Sequence, residues 1–339
     1  MQRKIRQIVG TGGIGKGLFF LSHENEALGR NESRMAELSD AKDYCKLHIV
    51  FHYLGCLLAP GINVVPIGKI GDDENGLLCQ KQMKDAGMNV DWVQKSLKLP
   101  TMLSVCIQYP DKSGCNITSD NSACQDVDTE YILKAAKALN IGPDTVIAAL
   151  PEVPLKSRLE LLQYGKSRGA FCAASCGTAE IKEFVRLKGP EACDLIALNQ
   201  EETAAFADML RVTGAEVAKE AARRVLEKYP HLHLWFTFGA EGSLLADRNQ
   251  IRIFASLPGV RVVNTGGAGD ASLAGLLTGY CLGLPLCGEE DADRGTCGEL
   301  AVLLAGMSVE SADSINQEIN WENIRKRKET IEVLKGGRI

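Results

Sequence analysis

The segment VRVVNTGGAGDASLAGLLTGYCLG carries the residues best suited to chemistry. A β-type run ends at Asn264, and the pattern then predicts a helix from near Gly267, with Leu273, Leu276, Leu277 and Tyr280 on one face. The glycine-rich turn between them leaves the backbone N–H groups of Gly267, Ala268 and Gly269 unpaired at a helix N-terminus. Those groups and the helix dipole form an anion site. Asp270 follows directly. A carboxylate there repels a ground-state phosphate, but it can take the proton of a hydroxyl that attacks the phosphate. Taken alone, an Asp in a first helical turn only complements the dipole, worth ~0.3–1 kcal/mol.

A second glycine-rich stretch, GTGGIGKG at residues 10–17, nearly spells a phosphate-binding P-loop through Gly10, Gly15 and Lys16. The next position should supply a hydroxyl for magnesium, and it is Gly17. Gly10, Gly12 and Gly15 also have the spacing of a dinucleotide fingerprint. That reading requires an acidic residue ending a second strand about twenty residues on. Glu32 is near that distance but lies in a polar, irregular segment. Two triphosphate cradles in one domain would be redundant. Residues 10–17 are therefore read as a glycine turn after the first strand, on the acceptor side of a crevice. Gly12 and Gly13 would permit close backbone approach there, and Lys16 would meet an anionic group of the acceptor.

The elements around these turns alternate: NVVPIG precedes NGLLCQKQMKDAG, TVIAAL precedes PLKSRLELLQYGKSRG, and DLIALN precedes QEETAAFADML. Such alternation implies parallel strands with crossover helices, and the nearly continuous apolar runs are those of strands buried on both faces. The expected fold is α/β, a doubly wound, mostly parallel central sheet with helices on both faces, in a single domain over residues 1–339. Residues 101–118 break the rhythm as two strands joined at PDKSG, a small β flap over the crevice. The polar, irregular residues 22–39 join this flap or form a separate insertion, which extends the candidate lid to about 14–38.

Composition sets the remaining limits. With 45% hydrophobic and 24% charged residues, the 339-residue chain has the content of an ordinary globular protein with a full core. A net charge of −5 argues against a nucleic-acid partner. The longest apolar runs are too short to cross a bilayer, and MQRKIRQIVG runs into glycines without the apolar stretch of a secretory signal. Twelve cysteines are scattered with no Cys-x-x-Cys. Cys172 and Cys176, in an apolar run, read as buried thiols in a reducing cytosol.

NTGGAGDAS resembles the C-terminal signature of the PfkB (ribokinase-like) carbohydrate kinases, D-T-x-G-A-G-D. VVPIGKIGDDENG is similar to the family's early strand–turn–helix, with Gly68, Gly71, Asp73 and Gly76. ALNQEE supplies its N-x-x-E as Asn199 and Glu202, and FTFGAEGSLL its T-x-G-x-x-G turn as Thr237, Gly239 and Gly242. The resemblance runs from about residue 44 to 312. It implies transfer of a phosphoryl group from ATP to a hydroxyl of a sugar or sugar-like small molecule. Asp270 would be the general base, and the amides of Gly267, Ala268 and Gly269 would form the anion hole. Asn199, Thr237, Gly239, Gly242, Thr265 and Gly266 would bind nucleotide. Glu202 and Asn199 would organise Mg2+ largely through water. Asn followed three residues on by Glu is also a helix N-cap pattern, and both roles can hold at once.

Two departures accompany the resemblance. The signature's first Asp is Asn264 and its third residue is Gly266. This removes a carboxylate and a side-chain oxygen from the K+ site of potassium-activated members and leaves main-chain carbonyls as donors. The G-G-x-x-x-N stretch that grips sugar hydroxyls is also missing: SDAKDYCKLHIVFHYLG precedes the aligned helix. Asp40, Asp43, Lys46, Arg30, Asn31, Glu32 and Arg34 are the polar candidates for a rebuilt acceptor pocket, although a solvated surface charge is the ordinary role of each. His48 and His52, one turn apart on an apolar helix, read as core or flap-facing residues rather than metal ligands. The acceptor is expected to be a sugar or sugar-like alcohol. A nucleoside, or ligand binding without catalysis, is the alternative. Flap strands invite a homodimer through the lid.

Overall fold

Side chains of a strand alternate between its two faces, so a strand buried on both sides feeds two separate cores. The computed structural model describes residues 4–111, 113–286 and 295–334. In chain order its strands are β1 (Gln7–Thr11), β2 (Gly15–Ser22), β3 (Ala36–Tyr44), β4 (Asn63–Gly71), β5 (Val93–Ser96), β6 (Met102–Gln108), β7 (Gly114–Thr118), β8 (Thr145–Ala149), β9 (Phe171–Ser175), β10 (Leu195–Asn199), β11 (His233–Thr237), β12 (Ser243–Ala246) and β13 (Ile251–Phe254). The helices are α1 (Lys46–Leu58), α2 (Glu74–Asp85), α3 (Thr129–Ala138), α4 (Leu155–Ser167), α5 (Ile181–Arg186), α6 (Gln200–Phe206), α7 (Gly214–Lys228), α8 (Ala268–Cys281), α9 (Cys297–Ser308) and α10 (Trp321–Leu334). Among the described residues, none of these helices is long and apolar enough to cross a membrane.

Nine strands form one sheet in the order β13-β12-β11-β10-β9-β8-β1-β4-β5. It is parallel except for β12 and β13 at one edge. Alternation divides its apolar residues between two cores. Ile8, Val64 and Val146 join α1, α8 and α9 on one face, while Val9, Val65 and Ile147 join α3, α4 and α7 on the other. The expected doubly wound architecture is therefore present. From β1 the chain passes to β4 and β5 on one side and later to β8 on the other. Such a reversal opens a crevice at the carboxyl ends of the strands.

A second sheet, ordered β3-β2-β6-β7, includes the expected hairpin, whose turn residue Lys112 lies outside the described residues. Residues 36–39 end the segment expected to be irregular, yet they open β3, which pairs with β2. Glu37, Leu38 and Asp40 on this strand are not buried, so it lacks the apolar alternation that would have marked it in the sequence.

Residues 10–17 also differ from a simple turn. Gly10 and Thr11 complete β1, while Gly15, Lys16 and Gly17 already belong to β2, so the stretch carries the chain from one sheet to the other. A strand follows these glycines. The P-loop and dinucleotide readings both need a helix N-terminus at that point, and they lose it.

Candidate active site

The turn before α8 is built from the residues the sequence marked. Gly267 caps the helix in the left-handed conformation, with φ 80°. A Cβ there would lie 2.4 Å from the Ser314 carbonyl oxygen, so only glycine fits on both counts. The Asn264 side chain secures the turn from both ends. Its Oδ1 accepts from the Gly266 amide and its Nδ2 donates to the Ala312 carbonyl, each at 2.8 Å. A carboxylate could not make the second bond. Ala268 N–H turns back to the Thr265 carbonyl at 3.3 Å. The amides of Gly267, Gly269 and Asp270 have no partner among the described residues. Of the expected trio, Gly267 and Gly269 therefore keep free amides, Ala268 does not, and Asp270 N–H is free as well.

Beside this turn, between α1, the small sheet and the carboxyl end of β8, lies a cavity of about 290 Å³. This is the small end of the range for ligand pockets. Asp43, Lys46, Glu152 and Asp270 meet on its wall, with Ser104, Cys106, Gln108 and Asn116 facing them from the flap. Burial raises Asp270 above the usual value of an aspartate, against the pull of Lys46. Lys46 Nζ stands 3.4 Å from Asp270 Oδ1. That carboxylate holds the ammonium above its usual value, against burial, with help from Glu202 and Glu152.

Glu152 had no motif to mark it. It follows β8 between Pro151 and Pro154, takes a left-handed φ of 78°, and its Oε2 accepts from Lys46 N–H at 3.0 Å, capping α1 from outside the helix. The available clue was an acidic residue just beyond TVIAAL, at the carboxyl end of a parallel strand. Burial pushes its carboxyl up to about 7, although Lys46 opposes this. A folded-state value above the unfolded one favours folding most when the group is protonated, and that contribution is lost as pH rises through about 7. The wild type should therefore lose more thermal stability than Glu152→Gln between about pH 6 and 8. Calorimetric scans at the two pH values test this, and equal losses would dismiss it.

The glycines of residues 10–17 acquire a specific reason here. A Cβ at Gly13 would lie 2.2 Å from Glu152 Oε2, and one at Gly17 would lie 2.2 Å from Asp43 Oδ2. The stretch gives its space to two carboxylates from elsewhere in the chain. Asp43 also accepts from Cys106 Sγ at 3.0 Å and from Ser104 Oγ at 3.3 Å. Burial, followed by the charge of Asp43, pushes the Cys106 thiol up to about 12.

Of the acceptor residues expected from sequence, Asp43, Lys46 and Asp270 line the cavity, and buried Gly12 and Gly13 lie behind it. Lys16 does not line it. Gly15 and Gly17 face the Cys45 and Asp43 side, so alternation turns Lys16 to the other face of β2, where its charge acts on Cys79 of α2. Asn31 and Asp40 also lie outside the lining, on the solvent side of the molecule. Lys46, itself one of the expected candidates, and Glu152, which was not among them, stand where those polar groups were sought.

Of the residues expected to bind nucleotide, Asn199 and Thr237 are register partners at the ends of β10 and β11. Asn199 Oδ1 accepts from Glu202 N–H and Glu202 Oε2 from Asn199 N–H, both at 2.9 Å, so the N-cap role is realised. Glu202 is buried, which raises its carboxyl, and its charge also reaches Lys46 and Asp270. Gly239 and Gly242 have φ of 59° and 100°, and a Cβ on Gly242 would strike the Phe254 carbonyl oxygen at 2.1 Å. Thr265 and Gly266 belong to the turn and line the cavity. His48 and His52 are buried on α1 and pushed down to about 3 and about 4 by desolvation. They are core residues. Cys172 and Cys176 are buried free thiols.

The two-sheet α/β architecture and its crevice define a ribokinase-like fold. The chain belongs to the pfkB family of carbohydrate kinases, whose family profile matches residues 50–321. A bifunctional ribokinase/ribose-5-phosphate isomerase A from Fructilactobacillus sanfranciscensis is 25% identical over 274 residues, or 78% of this chain. The chain spans about half of that curated relative, 48% of its length. Arabidopsis thaliana ribokinase, solved with ribose and ATP, superposes with a TM-score of 0.72 at 17% identity, covering 95% of this chain and 98% of that one. Burkholderia thailandensis nucleoside kinase, solved with inosine, gives 0.73 at 16% identity, covering 98% and 99%. At these identities the likeness to the solved structures is one of fold.

Proposed function

We propose that this protein is an ATP-dependent kinase that transfers the γ-phosphoryl group to a hydroxyl of a sugar or sugar-like alcohol. The observation that carries this reading is the meeting of Asp270 with the unpartnered amides of Gly267 and Gly269 beside one polar cavity. The acceptor hydroxyl lies in the cavity, where Asp43 and Glu152 accept hydrogen bonds from its neighbouring hydroxyls. Asp270 takes the proton of the attacking oxygen. The amides receive the charge of the phosphoryl group, so catalysis rests on positioning and charge stabilisation. The nucleotide lies along Asn199, Thr237, Gly239 and Gly242.

No three His, Cys, Asp or Glu side chains cluster as metal ligands among the described residues, and Glu202 commits Oε2 to Asn199 N–H. This donor set fits Mg2+ held by phosphates and water, with Glu202 orienting the waters. When bound, Mg2+ neutralises phosphate charge. The side chain of Asn264 is engaged at both ends, so a K+ ion would be left to main-chain carbonyls.

The acceptor panel follows from the cavity. ATP consumption should be measured across unphosphorylated sugars, sugar phosphates and nucleosides. Turnover is expected with an unphosphorylated alcohol, because among the described residues Asp43, Glu152 and Asp270 outnumber the lining cation Lys46. Absence of turnover with every member, alongside tight ligand binding, would favour a binding protein instead. A nucleoside acceptor is the second reading, and Phe19 on the cavity wall offers an aromatic face for a base.

The same reading makes the chain a single cytoplasmic kinase domain with the small sheet as its lid. The outer face of that sheet exposes Leu38, Leu103 and Ile117, at 60%, 37% and 74%. Pairing of two lids would bury this face and form a homodimer. Sedimentation should give two copies for the wild type and one for a Leu38→Glu/Ile117→Glu variant. A wild type that sediments as one copy excludes it.

A further inference from the structure

Lys46 is electrostatically out of place. It is the first residue of α1, where the helix presents its own partial positive charge and a cation is disfavoured. Its side chain is only about one-third exposed, at 34%, and the side chain of the facing Asp270 is 15% exposed. The pair is long, at 3.4 Å, and it is the ammonium's only hydrogen bond among the described residues. Two of its three donors are therefore left on the wall of the cavity that Gly266 and Gly267 also line. The position lies in the segment that lacks the family's G-G-x-x-x-N grip, so this charge is a feature of the rebuilt pocket.

Resting on the kinase reading, we infer that Lys46 is a charge-transferring partner of the general base. In the ground state it keeps Asp270 ionised despite burial and screens it from the γ-phosphate of ATP. During transfer the acceptor's O–H proton passes to Asp270, the new O–P bond forms, and the bond between the γ-phosphorus and the bridging oxygen breaks with its electron pair on ADP. Protonation of Asp270 then frees the ammonium, which keeps its own protons, to meet the oxygens of the moving phosphoryl group. The attractive charge appears where and when the negative charge develops. Asp43 from β3, Glu152 from the loop after β8, Glu202 from α6 and Tyr53 from α1 also act on this pair. These other groups are acidic or neutral, so among the described residues no second cation acts on the pair.

The test needs no acceptor. Calorimetry would compare the binding of ADP with Mg2+ to that of ADP with Mg2+ and aluminium fluoride, which stands in for the moving phosphoryl group. Lys46→Met should bind ADP nearly as the wild type does but lose ~10–100-fold of the tightening by fluoride, the range for a hydrogen bond to a charged group. Lys46→Arg should restore most of it, and circular dichroism would confirm that each variant is folded. Asp270→Asn mimics the protonated base and should bind the fluoride complex more tightly than the wild type. That gain should be larger when Lys46 is intact than in the Lys46→Met background. A fluoride effect independent of Lys46, or identical Asp270→Asn factors in the two backgrounds, overturns the inference and leaves the kinase reading intact. A wild type that gains nothing from fluoride sinks both.

Discussion

Replacing Asp270 by Asn is expected to lower kcat by ~10²–10⁴-fold while the KM for ATP changes only a few-fold, because proton removal by a positioned base contributes about that much. The substitution keeps the shape of the side chain and removes its basicity. It also removes a charge that repels phosphate, so the nucleotide should bind no worse. The pH profile separates a base from a structural residue. Burial raises Asp270 above the usual value of an aspartate, so the acid limb of the wild-type kcat profile should lie above that value. It falls as pH drops and the base takes a proton. The variant should lose that limb along with its rate. Initial rates on the accepted alcohol across pH decide the matter. Equal rates for variant and wild type would remove Asp270 from the mechanism.

Gly267→Ala should be nearly as damaging, for a reason that lies in the backbone. A left-handed φ of 80° costs an L-residue ~1–2 kcal/mol. In addition, the new Cβ would meet the Ser314 carbonyl oxygen at 2.4 Å, and neither backbone can yield without moving the turn. Shifting one oxyanion donor costs ~10²–10³-fold in kcat. The variant should therefore lose rate by about that factor and also melt earlier. Gly269→Ala is the control. A Cβ there meets nothing within 4 Å, so its melting temperature should stay close to that of the wild type. Thermal scans and rates on both variants check the pair. If both melt alike and react alike, the close packing of Gly267 on Ser314 has no consequence.

Much of this protein could be read from short local patterns. The alternation of TVIAAL and DLIALN with amphipathic helices required a parallel sheet covered on both faces. NTGGAGDAS required a glycine turn, a helix N-terminus and a carboxylate in that order, because consecutive residues cannot be far apart. Asn199 and Glu202 are of the same kind, since their reciprocal bonds span three residues. The strand β3 escaped notice because it is solvated on one side, and its polar residues carry no apolar period.

Asp43, Lys46 and Asp270 were legible as separate polar candidates, but their meeting with Glu152 in the proposed acceptor pocket was not, because its parts are distant in the chain. Lys46 and Glu152 meet through one backbone hydrogen bond across 106 residues, and Lys46 and Asp270 through one ion pair across 224. Only the approach of α1 to the ends of β1 and β8 brings them together. Lys16 shows the converse. Its charge and its place in GTGGIGKG suggested contact with the acceptor, but strand alternation faces it away from the cavity. The sequence alone determined the sheet, the turn before α8 and the carboxylate after it, since each depends on neighbours in the chain. The tertiary structure decided that the glycines of residues 10–17 serve as empty space. Gly13 and Gly17 have no side chains so that Glu152 and Asp43, arriving from elsewhere, can occupy the room a Cβ would fill.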